Sequence, residues 1–190
     1  MTTPAADRVD LFTFVHKGIR RSLFDTLLII GRTDFSRDED VASAGAAVAR
    51  CFDFLREHAE HEDRHIVPVL ARLAPGFAGA LAAEHVELEK AAIAIEALFP
   101  RVAAASAGER PVMGREIFRR MTLLVADQLR HLEREEREGN ATLWAYLPDP
   151  EIFVLRAQIQ ADIPAPRMAE WVELIAPVLT ARERELLRPR

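Results

Sequence analysis

Cysteine is almost missing from this sequence. Cys51 is the sole one among 190 residues, so no internal disulfide can form, and neither a thiolate metal site nor a Cys-x-x-Cys redox pair can be built. Long apolar runs are missing too. The longest aliphatic stretches, around Leu27 to Ile30 and Ala91 to Ile95, fall far short of the roughly 20 residues that cross hydrocarbon, so no membrane association is expected. There is no strong excess of either charge. The 25 lysines and arginines face 30 aspartates and glutamates with the signs interspersed, and without a basic stripe to neutralise phosphates, nucleic acid is not an expected partner. Glycine is scarce at 8, and no stretch alternates apolar and polar residues in the strand rhythm. The first eight residues lack the basic-then-apolar layout of a secretory leader, which makes a cytoplasmic address the expectation.

What is present is the composition of an all-helical protein. Hydrophobic residues make up 49% and charged residues 29%, with the helix formers Ala, Leu, Arg and Glu prominent. The length fits one domain with an appended element, enough to bury a core without metal or disulfide staples. Proline, glycine and aspartate divide the chain into long segments of three-and-four periodicity. The first is predicted from about Asp7 to Gly31, with Val9, Phe12, His16, Ile19, Leu23, Leu27 and Ile30 on one face. A second is predicted from about Asp38 to Leu73, its face carrying Val48, Cys51, Leu55, His58, Glu62, His65 and Val69, with a kink or an ending at Pro68. A third, about Phe77 to Ala105, aligns Ala78, Leu81, His85, Leu88, Ala92 and Phe99; a fourth, about Pro111 to Leu147, aligns Ile117, Leu124, Gln128, His131, Glu135 and Glu138. Short connections between long helices predict an all-α, up-down-up-down four-helix bundle over residues 7–147. Residues 148–190 are expected to form a helical extension whose patch of Trp171, Leu174, Ile175, Val178 and Leu179 serves as a lid on the bundle or as a homodimer contact.

Ionisable residues sit in the middle of otherwise apolar faces on all four helices. A buried imidazole or carboxylate without a partner costs several kcal/mol, so such stripes meeting in one core demand mutual neutralisation or a metal. His58 and Glu62 are four apart, as are His131 and Glu135; that spacing returns to nearly the same azimuth one turn on and aims both side chains at one point. His16 and His85 each add one imidazole at comparable depth. The expected metal set is therefore His16, His58, Glu62, His85, His131 and Glu135. Imidazole with bridging carboxylate suits two iron ions joined by an oxo or hydroxo group, the leading expectation, and also admits manganese or zinc.

Those residues also carry a family resemblance. The strings His16-Lys-Gly-Ile-Arg20, His58-Ala-Glu-His-Glu62-Asp63 with Pro68 behind it, Glu84-His85-Val-Glu-Leu88 and His131-Leu-Glu-Arg-Glu135-Glu136 make the chain resemble the hemerythrin-like, HHE cation-binding proteins over roughly residues 7 to 147. The resemblance implies a di-iron centre that binds a small diatomic such as dioxygen or nitric oxide, or peroxide, for sensing, storage or detoxification rather than catalysis. Glu89 stands where the oxygen carriers have a second histidine, and Glu136 where they have an aspartate; this pattern is similar to the carboxylate-richer iron-sensing domains. The di-cysteine domain of the iron-sulfur repair relatives has no counterpart here. Competing readings are a ferritin-like di-iron oxidase, which wants Glu-x-x-His on two helices but finds Gln128 before His131, and a metal-free or single-metal interaction module.

Around this set, His61 is expected at the bundle surface. His65 and Glu138, each seven residues past a ligand histidine, are expected either as a second layer near the centre or as a peripheral ion pair. Glu89 is expected either to replace the missing imidazole as a ligand or, the favoured reading, to pair with Arg20. Phe12, Phe52, Phe54, Phe118 and Met121 are expected in the core, and Cys51 as a small buried apolar residue.

Overall fold

The computed structural model describes residues 8–186. Asp7, the expected first residue of the bundle, lies outside that range, as do residues 187–190. The first helix, α1 (Thr13–Arg32), starts later than its periodicity suggests. Its start is set by Asp10, whose Oδ1 accepts the backbone N–H of Phe12 and of Thr13, both at 2.9 Å, the satisfaction of first-turn donors that short acidic side chains supply. The second segment comprises α2 (Asp38–His61), a π-helical turn at Glu62–Ile66 and α3 (Val67–Leu73). Its first turn carries Asp38, Glu39 and Asp40, favourable at the positive end of the helix dipole. The third comprises α4 (Pro75–Glu96) and α5 (Leu98–Ala104). The fourth mirrors the second, with α6 (Arg110–Arg134), a π-helical turn at Glu135–Gly139 and α7 (Asn140–Tyr146). Pro75 and Pro111 stand in the first turns of α4 and α6, where the missing N–H would have no partner in any case.

Helix α1 packs on α2 and α6, and α4 packs on the same two, so the four long segments close an up-down-up-down ring. The core has two apolar clusters. One holds Ile19, Leu23, Val48, Phe52, Phe54, Ile117 and Met121; the other holds Phe12, Ile66, Leu70, Leu81 and Leu143. Between them, in register on α1, α2, α4 and α6, lies the layer of histidines and glutamates. Cys51 is buried in the first cluster. Phe118 is not part of the core: it is 42% exposed, lying across the surface beside Gly31, because its position on α6 falls next to, not on, the inward stripe of Ile117, Met121 and Leu124.

The extension forms α8 (Asp149–Asp162), α9 (Ala165–Ile175) and α10 (Ala181–Leu186) and folds back over the α1–α2 side. Trp171 stacks edge-on against Phe54 at 4.7 Å, the Arg167 guanidinium lies 4.1 Å over the same ring, and Glu57 accepts from Arg167 at 2.5 Å. Leu174 and Ile175 press on α1 at Gly18, where an added Cβ would come within 2.8 Å of Ile175 Cγ1. Lys17 reaches Glu183 at 2.6 Å. The apolar patch of the extension thus packs on the bundle of its own chain. No helix among the described residues is long and apolar enough to cross a membrane.

Candidate metal centre

All six side chains singled out by spacing converge in the layer between the two clusters, and all six are buried. Ligand-type atoms of His16, His58, Glu62 and Glu135 lie within 4.8 Å of one another, and so do those of Glu62, His85, His131 and Glu135. The two groups share the two glutamates. Glu62 directs Oε1 to His58 at 3.2 Å and to His16 at 3.8 Å, while its Oε2 lies 3.4 Å from His85. Glu135 does the converse, with Oε1 at 3.1 Å from His131 and 3.5 Å from His85, and Oε2 at 3.5 Å from His16. Each carboxylate therefore offers one oxygen to each group, and all four imidazoles face the cage through Nε2.

The outer nitrogens are held as deliberately. His16 Nδ1 meets Glu136 at 3.0 Å, His85 Nδ1 meets Asp63 at 2.8 Å, and His131 Nδ1 meets Glu84 at 2.8 Å. Arginines anchor two of these acids, Arg20 to Glu136 and Arg134 to Glu84. A carboxylate behind an imidazole fixes its tautomer and raises its basicity as a ligand.

The cage is a poor home for protons alone. Glu62 Oε1 and Oε2, Glu135 Oε2, His85 Nε2 and His131 Nε2 are buried without any hydrogen-bond partner, an arrangement that costs roughly 1–3 kcal/mol per group and more for charged ones. Burial opposes charge on the imidazoles, yet the carboxylates outweigh it, and His16 is pushed up to about 9 and His85 to about 11. His131 moves in the same direction for the same reason. His58 goes the other way, to about 4, because burial dominates and only part of it is offset by Glu62. Its Nε2 sits 3.1 Å from His16 Nε2; the more basic His16 donates, His58 accepts, and the His58 proton belongs on Nδ1. Glu62 is held well below its ordinary value, burial being overcome by the imidazoles around it. Orphaned buried acceptors and imidazole nitrogens converging on two shared centres fit a pair of cations better than they fit protons.

The inward faces expected for His65 and Glu138, the surface place of His61 and the pairing of Glu89 with Arg20 are not found, and the π-helical turns explain the first two. A π turn holds more residues than an α turn, so it delays the inward phase. Beyond Glu62 the buried residues are Ile66 and Leu70, not His65 and Val69; beyond Glu135 they are Gly139, Asn140 and Leu143, not Glu138. His65 consequently turns out to Asp162 of the extension at 2.7 Å, and Glu138 pairs with Arg134 and Arg137 on the surface. Neither forms a second layer; both are peripheral ion pairs. His61, expected outside, is only 9% exposed because the extension covers it. Arg20 pairs with Glu136 rather than Glu89, which is exposed on α4. The residues that spacing missed are the braces Asp63, Glu84 and Glu136. Their one sequence signal is adjacency, since each neighbours a member of the cage, but which imidazole each supports depends on the helix across from it.

The family model of the hemerythrin HHE cation-binding domain matches residues 7–139 of the chain. No curated protein matches it significantly.

Proposed function

The chain belongs to the hemerythrin HHE cation-binding family, and from that premise we propose that it holds two iron ions in the His16–His58–Glu62–His85–His131–Glu135 cage and binds a small ligand there, dioxygen, nitric oxide or peroxide. The observation that carries this reading is the sharing of both carboxylates: Glu62 and Glu135 each split their oxygens between the two histidine pairs. One cation would leave half of those oxygens without a partner. Bound iron supplies the electrons that a diatomic or peroxide takes up.

The chain's own part is to position, to brace and to keep water out. His16, His85 and His131 are locked in tautomer and orientation by Glu136, Asp63 and Glu84. Apolar layers close the cage above and below, slowing the access of bulk water to the centre. Three cavities touch cage residues, one of them only at the outer side of His131 beside Glu84 and Arg134; the other two reach more than one member. One of about 110 Å³ lies between α2, α4 and α6, touches His58, His85 and His131, and has Gln128 in its wall; its rim of Arg56, Glu60, Asp63 and Glu89 is polar. The other, about 150 Å³, lies beneath the extension against His58 and Glu62. The ferritin-like oxidase is disfavoured, since His65, the one histidine in the required Glu-x-x-His register, faces Asp162 instead of the cage.

Metal quantification on untagged protein, with absorption spectra during anaerobic reduction and readmission of air, tests the proposal. About two irons per chain with an air-dependent spectral change support it. One metal per chain, or an iron-loaded spectrum indifferent to air and nitric oxide, overturns it. The shared carboxylates make a sharper demand: Glu135→Gln should empty both positions, whereas His85→Ala should weaken chiefly its own half, leaving closer to one iron.

A further inference from the structure

The centre has an approximate twofold symmetry that the braces break at one place. His16 corresponds to His85, His58 to His131, Glu62 to Glu135 and Asp63 to Glu136. Asp63 and Glu136, each following a cage glutamate, brace the two lone histidines. Glu84, immediately before His85, braces His131, and Arg134 holds it there. The corresponding residue before His16 is Val15, which cannot brace anything. His58 accordingly has no carboxylate other than Glu62 of the cage, and its Nδ1–H has no acceptor among the described residues. The lost carboxylate leaves space. Val15 and His58 both line the cavity of about 150 Å³ beneath the extension.

The rest of that cavity's wall is suited to an anion with an apolar body. Arg156 lines it, half-buried, donating to the carbonyl of Asp10 at 2.8 Å and making no ion pair with a carboxylate among the described residues; a cation so placed ordinarily has an acidic partner. Trp171 lines it too, 4% exposed, its Nε1 buried without an acceptor. Glu62 reaches the same wall, but its oxygens are turned to the cage imidazoles; the groups there that lack an acidic partner are the indole N–H and the guanidinium, beside the His58 ring. Ile159, Ile163, Met168 and Ile175 supply apolar wall. A cavity on the order of 150 Å³ is the size that admits benzene.

We propose that the cavity under the extension binds a small monocarboxylic acid with a compact apolar body, its carboxylate supplying the brace on His58 that the chain omits. Arg156 plays toward it the part that Arg134 plays toward Glu84. The acid is then a second ligand, distinct from the diatomic, that sits behind a cage histidine. It needs no metal to bind, but metal on His58 Nε2 fixes the proton on Nδ1 and neutralises Glu62, so binding is tighter in the loaded protein.

Benzoate is the probe, with toluene as its neutral counterpart, titrated into metal-free and iron-loaded protein by calorimetry and by fluorescence in a Trp144→Phe background that leaves Trp171 as reporter. Saturable benzoate binding is expected in both forms. Arg156→Met should weaken it about tenfold or more, the scale of a charged hydrogen bond; Ile163→Trp, which fills the cavity, should abolish it. Val15→Glu builds the brace into the chain and should also displace benzoate while retaining or strengthening iron binding; should that variant misfold by circular dichroism, Ile163→Trp decides. Absence of saturable binding, equal binding of toluene and benzoate, or indifference to Ile163→Trp overturns the proposal. Because the metal-free arm is measured separately, its failure is distinguishable from failure of the di-iron reading.

Discussion

Glu84 contributes nothing to the cage directly, yet it holds the His131 ring from behind while being held by Arg134. Residues of this kind typically alter metal affinity 10–100-fold. Glu84→Ala should therefore release iron to a competing chelator roughly 10–100 times more readily, with Glu84→Gln recovering part of the loss because its amide oxygen still accepts from Nδ1–H. An unchanged competition curve for the alanine variant would reduce Glu84 to a surface ion pair. The metal-free cage makes a second demand, on pH. His16 and His85 have raised values, about 9 and about 11, so the stability they contribute is complete below the ordinary imidazole value of 6.5 and is lost as pH climbs through those raised values. His58, lowered to about 4, acts oppositely. The unfolded chain protonates it near 6.5 while the folded chain resists until about 4, so stability falls as pH drops through that window. Glu62, held low by its imidazole neighbours, adds to the acid loss. Thermal unfolding of metal-free protein should peak near pH 6.5 and decline on both sides. Loading metal should flatten the alkaline limb, because the cation takes the place of the protons on His16 and His85; an alkaline limb that persists after loading would contradict their role as ligands.

At the scale of the helix, the two π turns decide which residues see the centre. Both begin at a cage glutamate, Glu62 and Glu135. Pro68 is not their common cause, for the fourth helix has its π turn without a proline. What both share is a delay of phase that takes the helix from a polar layer to an apolar one, reaching Ile66 on one side and Gly139 on the other. Gly139 is packed for this purpose: a Cβ there would sit 3.0 and 3.1 Å from the ring of Phe12, which is itself 5.7 Å from the ring of His16. Overpacking of a buried site costs about 1–3 kcal/mol, partly offset by the roughly 1 kcal/mol that alanine gains over glycine in a helix. Gly139→Ala should come out about 1 kcal/mol less stable, or about 2–4 °C in melting temperature for a chain of this length; a stabilised variant would mean that Phe12 has room to move. The helices and the six convergent side chains were legible in sequence because each is a matter of azimuth on one helix. Constant α periodicity puts His65 and Glu138 on the inward faces, and the π turns, which do not obey it, carry both outward into the peripheral ion pairs that were the other reading. The partners of Arg20, and the pairing of Glu84 with His131, were illegible for a different reason, as they depend on which helices are neighbours and how high each is set.

For the whole molecule the issue is whether the extension is part of the bundle or a cover on it. Helix α8 contributes Ile152 and Leu155 to the apolar cluster around Phe12 and Leu143, so it belongs to the fold. Helix α9 differs: its hold consists of Trp171 and Arg167 on Phe54, the Arg167–Glu57 pair, and Leu174 with Ile175 on Gly18. Removing a large buried ring costs about 3–5 kcal/mol, but the penalty falls on whichever unit that ring anchors, and elements with few buried contacts open locally before the global transition. Trp171→Ala should therefore leave the main unfolding transition almost in place while amide exchange in α9 accelerates. With the cavity beside His58 and Glu62 uncovered, a chelator should strip metal faster in the same variant, and the two rates should rise together. A lowered global midpoint with an unchanged chelation rate would instead make α9 a structural buttress, and the route to the centre would then run through the opposite cavity walled by Gln128, His85 and His131.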